Sequence, residues 1–185
     1  MDLPNEKTSG GVSIHVRSDL PSERVHIDNA LLKSRKGELL QVMAVDVKLP
    51  NSETSCRLIG VYMRPALKKI PYVEDLIALL RHLVEGQRHI IIAGDINMHI
   101  DWSKGSTSKR TINRLLKSFV EDNGFCQFVE KITYVHPSTK KESLLDLVIA
   151  RKNNDVNDVD QSVRNLVVGQ TTFADHKDVF FDYYI

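Results

Sequence analysis

The stretch that most constrains this chain is His89-Ile90-Ile91-Ile92-Ala93-Gly94-Asp95-Ile96-Asn97. A short apolar run without polar alternation predicts a strand buried on both faces. Gly94 frees the backbone to turn at its end, and Asp95 and Asn97 follow. Residues two apart in extended chain point the same way, which would set a carboxylate and a carboxamide side by side. That pairing suits metal-assisted attack on a phosphate ester: the acid holds water or metal, and the amide hydrogen-bonds the oxyanion. Gly-Asp-x-Asn has a second reading, because turns after buried strands carry Asp and Asn for backbone reasons.

The rest of the chain supplies an α/β frame for that strand. Gly10 to Arg17 alternates apolar and polar residues as a half-buried strand does, and Pro21 and Ser22 break it. Residues 39–49 and 57–63 are two further strands, stopped by Pro50 and Pro65. From Val73 the period changes. Val73, Leu76, Ile77, Leu80, Leu83 and Val84 make one helical face, closed by Gly86. After a polar loop at 101–108, a second amphipathic helix carries Ile112, Leu115, Leu116, Phe119 and Val120, and ends at Asn123-Gly124. Short strands are predicted at 126–129, 132–135, 144–150, 166–168 and 179–185, with a polar, acidic loop at 153–160. This mixture is an α/β domain whose sheets are covered by helices. With 185 residues, 42% of them hydrophobic, one domain spanning residues 1–185 is expected.

Charge and cysteine usage exclude several classes. Twenty-five basic against 24 acidic residues leave a net charge of +1, so any phosphate binding rests on a local patch. Lysines and arginines at 104, 109, 110, 140, 141, 151 and 152 fall in or beside predicted loops. They form either a solvated face or a track for a nucleic-acid backbone. Cys56 and Cys126 lack metal spacing and read as ordinary thiols. The first residues lack the apolar core of a signal peptide, and no run is long enough to span a bilayer. The expectation is an intracellular protein, nuclear or cytoplasmic, with no membrane partner.

Three other places carry candidate chemistry. Asp146 is one acid inside the apolar run 144–149. Either it pairs with a donor such as His176, fixing the imidazole, or it sits at the strand's solvent edge. Ala174-Asp175-His176 sets an acid and an imidazole at a strand junction, which suits metal ligation and proton chemistry as well as ordinary loop polarity. Tyr62 ends a strand with a phenol, for packing or for a phosphate. His15, His26, His82, His89, His99 and His136 show no ligand spacing and read as surface or satisfied histidines. Asp101-Trp102 reads as a loop anchor or a wall of the site.

The order of these pieces is more specific than any one of them. Gly-Gly-Val-Ser-Ile, Gly-Val-Tyr-x-x-Pro, Gly-Asp-Ile-Asn, Ser-Leu-Leu-Asp-Leu-Val and Ala-Asp-His follow one another from Gly10 onward. This sequence of segments resembles the exonuclease–endonuclease–phosphatase superfamily. Within it, the likeness is to the apurinic-type endonuclease domain of non-LTR retrotransposons. The resemblance implies a DNase I-like, four-layer αββα sandwich. It also implies a magnesium-dependent phosphodiesterase, with manganese as the substitute ion, that hydrolyses double-stranded DNA. Position by position, Asp95 would orient or deprotonate the attacking water, Asn97 would hydrogen-bond the phosphate, and Tyr62 would contact a phosphate oxygen. Asp146 would pair with His176, which would stabilise charge on the phosphate. Asp175, with Asp95, would hold the metal, and Ser143 would lie near the scissile strand.

The departures are equally specific. In the family a strand bearing an Asn and a strand bearing the metal-ligand Glu precede the first segment found here. Against that pattern the chain reads as N-terminally truncated, with a sheet edge open for self-association. Ala174 stands where Ser is usual, and Ala66 where a second Pro is usual. The alternative reading of function is therefore a catalytically inactive remnant or nucleic-acid-binding domain of a mobile element. Calcineurin-like metallophosphatases, which also use Gly-Asp motifs, need a Gly-Asn-His-Glu segment that this chain lacks.

Overall fold

The structure, a computed structural model, describes residues 11–50, 53–102, 111–151, 162–170 and 175–184. In chain order these form β1 (Ser22–Arg24), β2 (Gln41–Lys48), β3 (Ser55–Tyr62), a 3₁₀ turn (Pro65–Leu67) and α1 (Ile70–Val84). Then come β4 (His89–Asp95), α2 (Thr111–Asp122), β5 (Phe125–Gln127), β6 (Tyr134–Val135) and β7 (Glu142–Ser143). The chain continues with β8 (Asp146–Arg151), β9 (Val163–Val168) and β10 (Val179–Tyr183). The six-stranded sheet runs β1-β2-β3-β4-β8-β5, while β9–β10 and β6–β7 are two-stranded hairpins. Among the described residues only β3 and β4 pair in parallel, and α1 supplies the crossover that a parallel pair needs.

β4 is buried on both faces for a layered reason. Ile90 and Ile92 face a core built with α1 and α2, whereas Ile91 and Ala93 face a second core closed by β9 and β10. Removing each isoleucine from water stabilises the fold by roughly 2–3 kcal/mol. The described residues thus stack a helix layer, the six-stranded sheet and the β9–β10 sheet, a mixed α/β architecture of the DNase I-like kind. The helix layer is tied to the sheet by Arg57. It pairs with its cross-strand neighbour Asp46 through two 2.7 Å bonds and donates to the Leu83 carbonyl of α1 at 2.9 Å. Cys56 and Cys126 are free thiols.

The structure corrects some elements of the sequence reading. Residues 11–17 alternate between exposed and half-buried, but pair with no strand among the described residues. Alternation reports which face is covered, and a ladder also needs a partner backbone. The first strand lies instead at Ser22–Arg24, directly after Pro21 where a break was expected, and pairs with β2. The hairpin partner β7 and the 3₁₀ turn at Pro65–Leu67 were not expected from the sequence. The predicted loop at 153–160, Ala174, and basic residues 104, 109, 110 and 152 lie outside the described residues.

Candidate functional site

The end of β4 begins with a close approach of two backbones. Gly94 has φ 144°, and a β-carbon there would sit 1.9 Å from the Val61 carbonyl oxygen. Only glycine fits, for conformation and for space. β3 and β4 therefore come together where Tyr62 and Asp95 leave the sheet. Asp95 lies directly opposite Asp146 in the antiparallel β4–β8 pairing.

Asp95 and Asn97 are adjacent, though by a turn rather than by strand periodicity. Asn97 adopts the left-handed region, φ 52°, which Asn tolerates better than other non-glycine residues. Its backbone N–H donates to Asp95 Oδ1 at 2.8 Å, and its Nδ2 donates to Asp95 Oδ2 at 2.6 Å. The segment that follows is held from α2. Asn113 Nδ2 donates to the His99 carbonyl at 2.8 Å, and Lys117 Nζ donates to the Asp101 carbonyl while sitting over the Trp102 ring. Trp102 packs against the helix-side core as a loop anchor.

The second half of the site is assembled over 30 residues of sequence. His176 Nδ1 lies 2.8 Å from Asp146 Oδ2, and its Nε2 lies 3.8 Å from Asp95 Oδ2. The imidazole thus stands between two carboxylates. The hydrogen bond that Asp146 accepts is the main cause that raises the His176 pKa above its ordinary value, with burial opposing it. Burial pushes Asp95 up to about 6. The Asn97 backbone N–H, His176 and Lys68 work against that rise, and the charge of Asp146 adds to it.

All seven residues singled out from the sequence (Tyr62, Asp95, Asn97, Ser143, Asp146, Asp175 and His176) line one cleft of about 740 Å³. The same cleft takes in residues the sequence reading assigned elsewhere or passed over. His99 and His136, read as surface or satisfied, are on its wall, as are Lys68 and Tyr134. Of the basic loop residues read as a solvated face or a backbone track, Lys141 is there too. The Tyr134 ring packs against the His176 ring in a tilted arrangement, 4.8 Å between centroids, and meets His136 edge-on at 6.3 Å. The spacing Tyr134-x-His136, which starts on β6 and ends just past it, was the available signal, since residues two apart in extended chain share a face.

The donor set can be tested against a metal. Among the described residues, Asp95, Asp146 and His176 offer ligand atoms within 4.8 Å of one another. Asp175 lines the cleft but stands outside that trio. Asp146 and His176 satisfy each other through their hydrogen bond, and burial disfavours the ionised form of Asp95, which a cation would restore. Magnesium takes oxygen ligands and is held by one or two carboxylates together with substrate phosphate. The acids of this cleft fit such an ion.

Comparison with known proteins gives a consistent picture. The family described as endonuclease-reverse transcriptase matches residues 56–180. Among solved structures, the endonuclease domain of TRAS1, a telomere-specific non-LTR retrotransposon, superposes with a TM-score of 0.64 at 17% identity. That match covers 91% of this chain and 71% of the other. The 3′ phosphatase NExo from Neisseria, bound to a product DNA hairpin, gives 0.55 at 12% identity, covering 92% and 72%. A mannosyl-6-phosphatase of Bacteroides thetaiotaomicron gives 0.53 at 13% identity, covering 91% and 66%. These likenesses establish the fold. No curated protein matches the sequence.

Proposed function

The chain belongs to the endonuclease-reverse transcriptase family, and from that premise we propose that it is a metal-dependent phosphodiesterase of the endonuclease type acting on double-stranded DNA. The observation that carries this reading is the convergence of Asp95–Asn97 and Asp146–His176 at one end of β4 and β8, inside one cleft.

Asp95, with its pKa near 6, is ionised at neutral pH yet basic enough to orient and deprotonate a water. Asn97 spends one Nδ2 hydrogen on Asp95. A carboxamide carries two, so the second is available to a phosphate oxygen. The Tyr62 phenol donates to another. Asp146 accepts from His176 Nδ1, which aims Nε2 toward the reacting centre and lets the imidazole offset charge on the phosphate. Asp95 and Asp175 would hold magnesium, manganese substituting. The bound ion would supply Lewis-acid stabilisation of the phosphate charge. Ser143 lines the floor beside the scissile strand, and Lys68 and Lys141, on the cleft wall, add attraction for the backbone. The same reading treats the chain as one domain and allows copies to pair through an open sheet edge. No helix among the described residues is long and apolar enough to cross a membrane.

Nicking of supercoiled plasmid by the purified chain, with and without magnesium, tests the proposal beside Asp95→Ala and His176→Ala. Magnesium-dependent nicking lost in both variants supports it. A folded chain that binds DNA without nicking it replaces it with the nucleic-acid-binding reading.

A further inference from the structure

We propose that Thr133 is a positioning residue that fixes the Asp146–His176 pair, a role that rests on reading the cleft as a phosphodiesterase site. Thr133 precedes β6 and has 0% of its surface exposed, although it is polar. Its Oγ1 accepts hydrogen bonds from two successive backbone amides, Leu145 N–H and Asp146 N–H, both at 3.1 Å. Its own N–H donates to the Ser143 carbonyl at 3.1 Å, and its carbonyl accepts from Lys177 N–H at 2.7 Å. One residue on, Tyr134 bridges His176, and then Val135 N–H donates to the Asp175 carbonyl at 3.1 Å.

A single buried side chain and its peptide groups therefore hold the backbone of Asp146 itself and of the residue directly after His176. These two segments lie 30 residues apart and have no strand pairing with each other. Without the hydroxyl, two adjacent buried N–H groups would lose their acceptor, a costly state that the backbone relieves by shifting. A shift of residues 145–146 moves the Asp146 carboxylate away from Nδ1, and a displaced catalytic group loses rate far more than binding. The chemistry requires a hydroxyl there. Valine has the shape of threonine but cannot accept, whereas serine can.

The test compares Thr133→Val, Thr133→Ser and Val129→Ala. Val129 is also buried and serves as a control for lost packing. The readouts are the ring ¹⁵N shifts of His176, taken where the ring is neutral, and magnesium-dependent plasmid nicking. The shifts show which ring nitrogen carries the proton. In the wild type and Thr133→Ser the proton is expected on Nδ1, held by Asp146. In Thr133→Val it moves toward Nε2, the nicking kcat falls about tenfold or more, and KM stays within about twofold. Val129→Ala lowers stability and leaves the His176 shifts in place. A proton retained on Nδ1 in Thr133→Val, absent from Nδ1 in the wild type, or lost equally in Val129→Ala overturns the assignment.

If Thr133→Val does not fold, hydrogen exchange in the wild type decides. Protection of the Leu145, Asp146 and Lys177 amides to a similar degree supports the assignment, and fast exchange at Leu145 and Asp146 overturns it. A wild type that fails to nick DNA removes the phosphodiesterase reading, while the ring shifts still judge Thr133. A nicking wild type with unmoved shifts in Thr133→Val removes only the inference about Thr133.

Discussion

The two halves of the cleft are built on different principles. Asp95 and Asn97 are two residues apart and hold each other directly through one turn. Asp146 and His176 are 30 residues apart, and their 2.8 Å contact exists only because β8, the β6–β7 hairpin and the lead into β10 are held together. The local half depends on side-chain identity at its own positions. The long-range half depends also on residues that touch no substrate.

The largest way to break the comparison is to remove one group from each half. Asp95→Ala and His176→Ala are each expected to lower magnesium-dependent nicking by about 10³-fold or more. The double variant should be little worse than either single one, because groups that act as a unit are not additive. Near-multiplicative losses in the plasmid assay would show the halves working independently.

Next in size is Gly94→Ala, which strikes the support under both halves. A β-carbon 1.9 Å from the Val61 carbonyl oxygen at φ 144° cannot be accommodated without separating β3 from β4. The expected loss is about 4 kcal/mol or failure to fold, read by urea denaturation. A stable, active Gly94→Ala protein would contradict the close approach.

The pH dependence of stability separates the halves without disrupting either. Asp95 is raised from 3.8 to about 6, so the unfolded state ionises first as pH rises. Its ionisation then withdraws roughly 3 kcal/mol of stability across about pH 4 to 6. His176 is also raised, chiefly by Asp146. Its contribution is complete below its ordinary value near 6.5 and is lost as pH climbs through its folded value. Asp95→Asn should flatten chiefly the acid window, and Asp146→Asn chiefly the upper one, in urea melts across pH. The same slopes in both variants would mean that the groups titrate as one.

The smallest effect is expected from Asn97→Gly. Glycine accepts φ 52° freely and keeps the backbone bond to Asp95 while losing the 2.6 Å side-chain bond. A loss of about 1 kcal/mol is expected, with a clearer fall in nicking than in melting temperature. A fall in stability without any change in nicking would leave Asn97 a turn residue alone.

The same division explains what was legible in the sequence. β4 and α1 were readable because buried runs and helical spacing are local signals, and Gly86 closes α1 with φ 70° as a glycine stop should. Residues 11–17 carry a strand's alternation without a strand's partner, and pairing is not written in one segment. Asp95 and Asn97 were legible as neighbours, although through the wrong geometry. For Asp146 the sequence left a paired and a solvent-edge position equally open. Only the packing of the hairpin against the lead into β10 places His176 within reach. His99 and His136 were set aside because metal spacing was the criterion, whereas their place on the wall follows from loop and hairpin positions.

The contact at Gly94 has a consequence for how such a protein can vary. The separation of Tyr62 from Asp95 is set where one main chain rests on another, with no side chain between them to mutate. Drift in the surrounding core can change packing without retuning that spacing. The turn at residues 136–141 contributes His136 and Lys141 to the cleft lining and takes no part in this contact. Changes in that turn would alter the cleft wall while leaving the spacing of Tyr62 and Asp95 as it is.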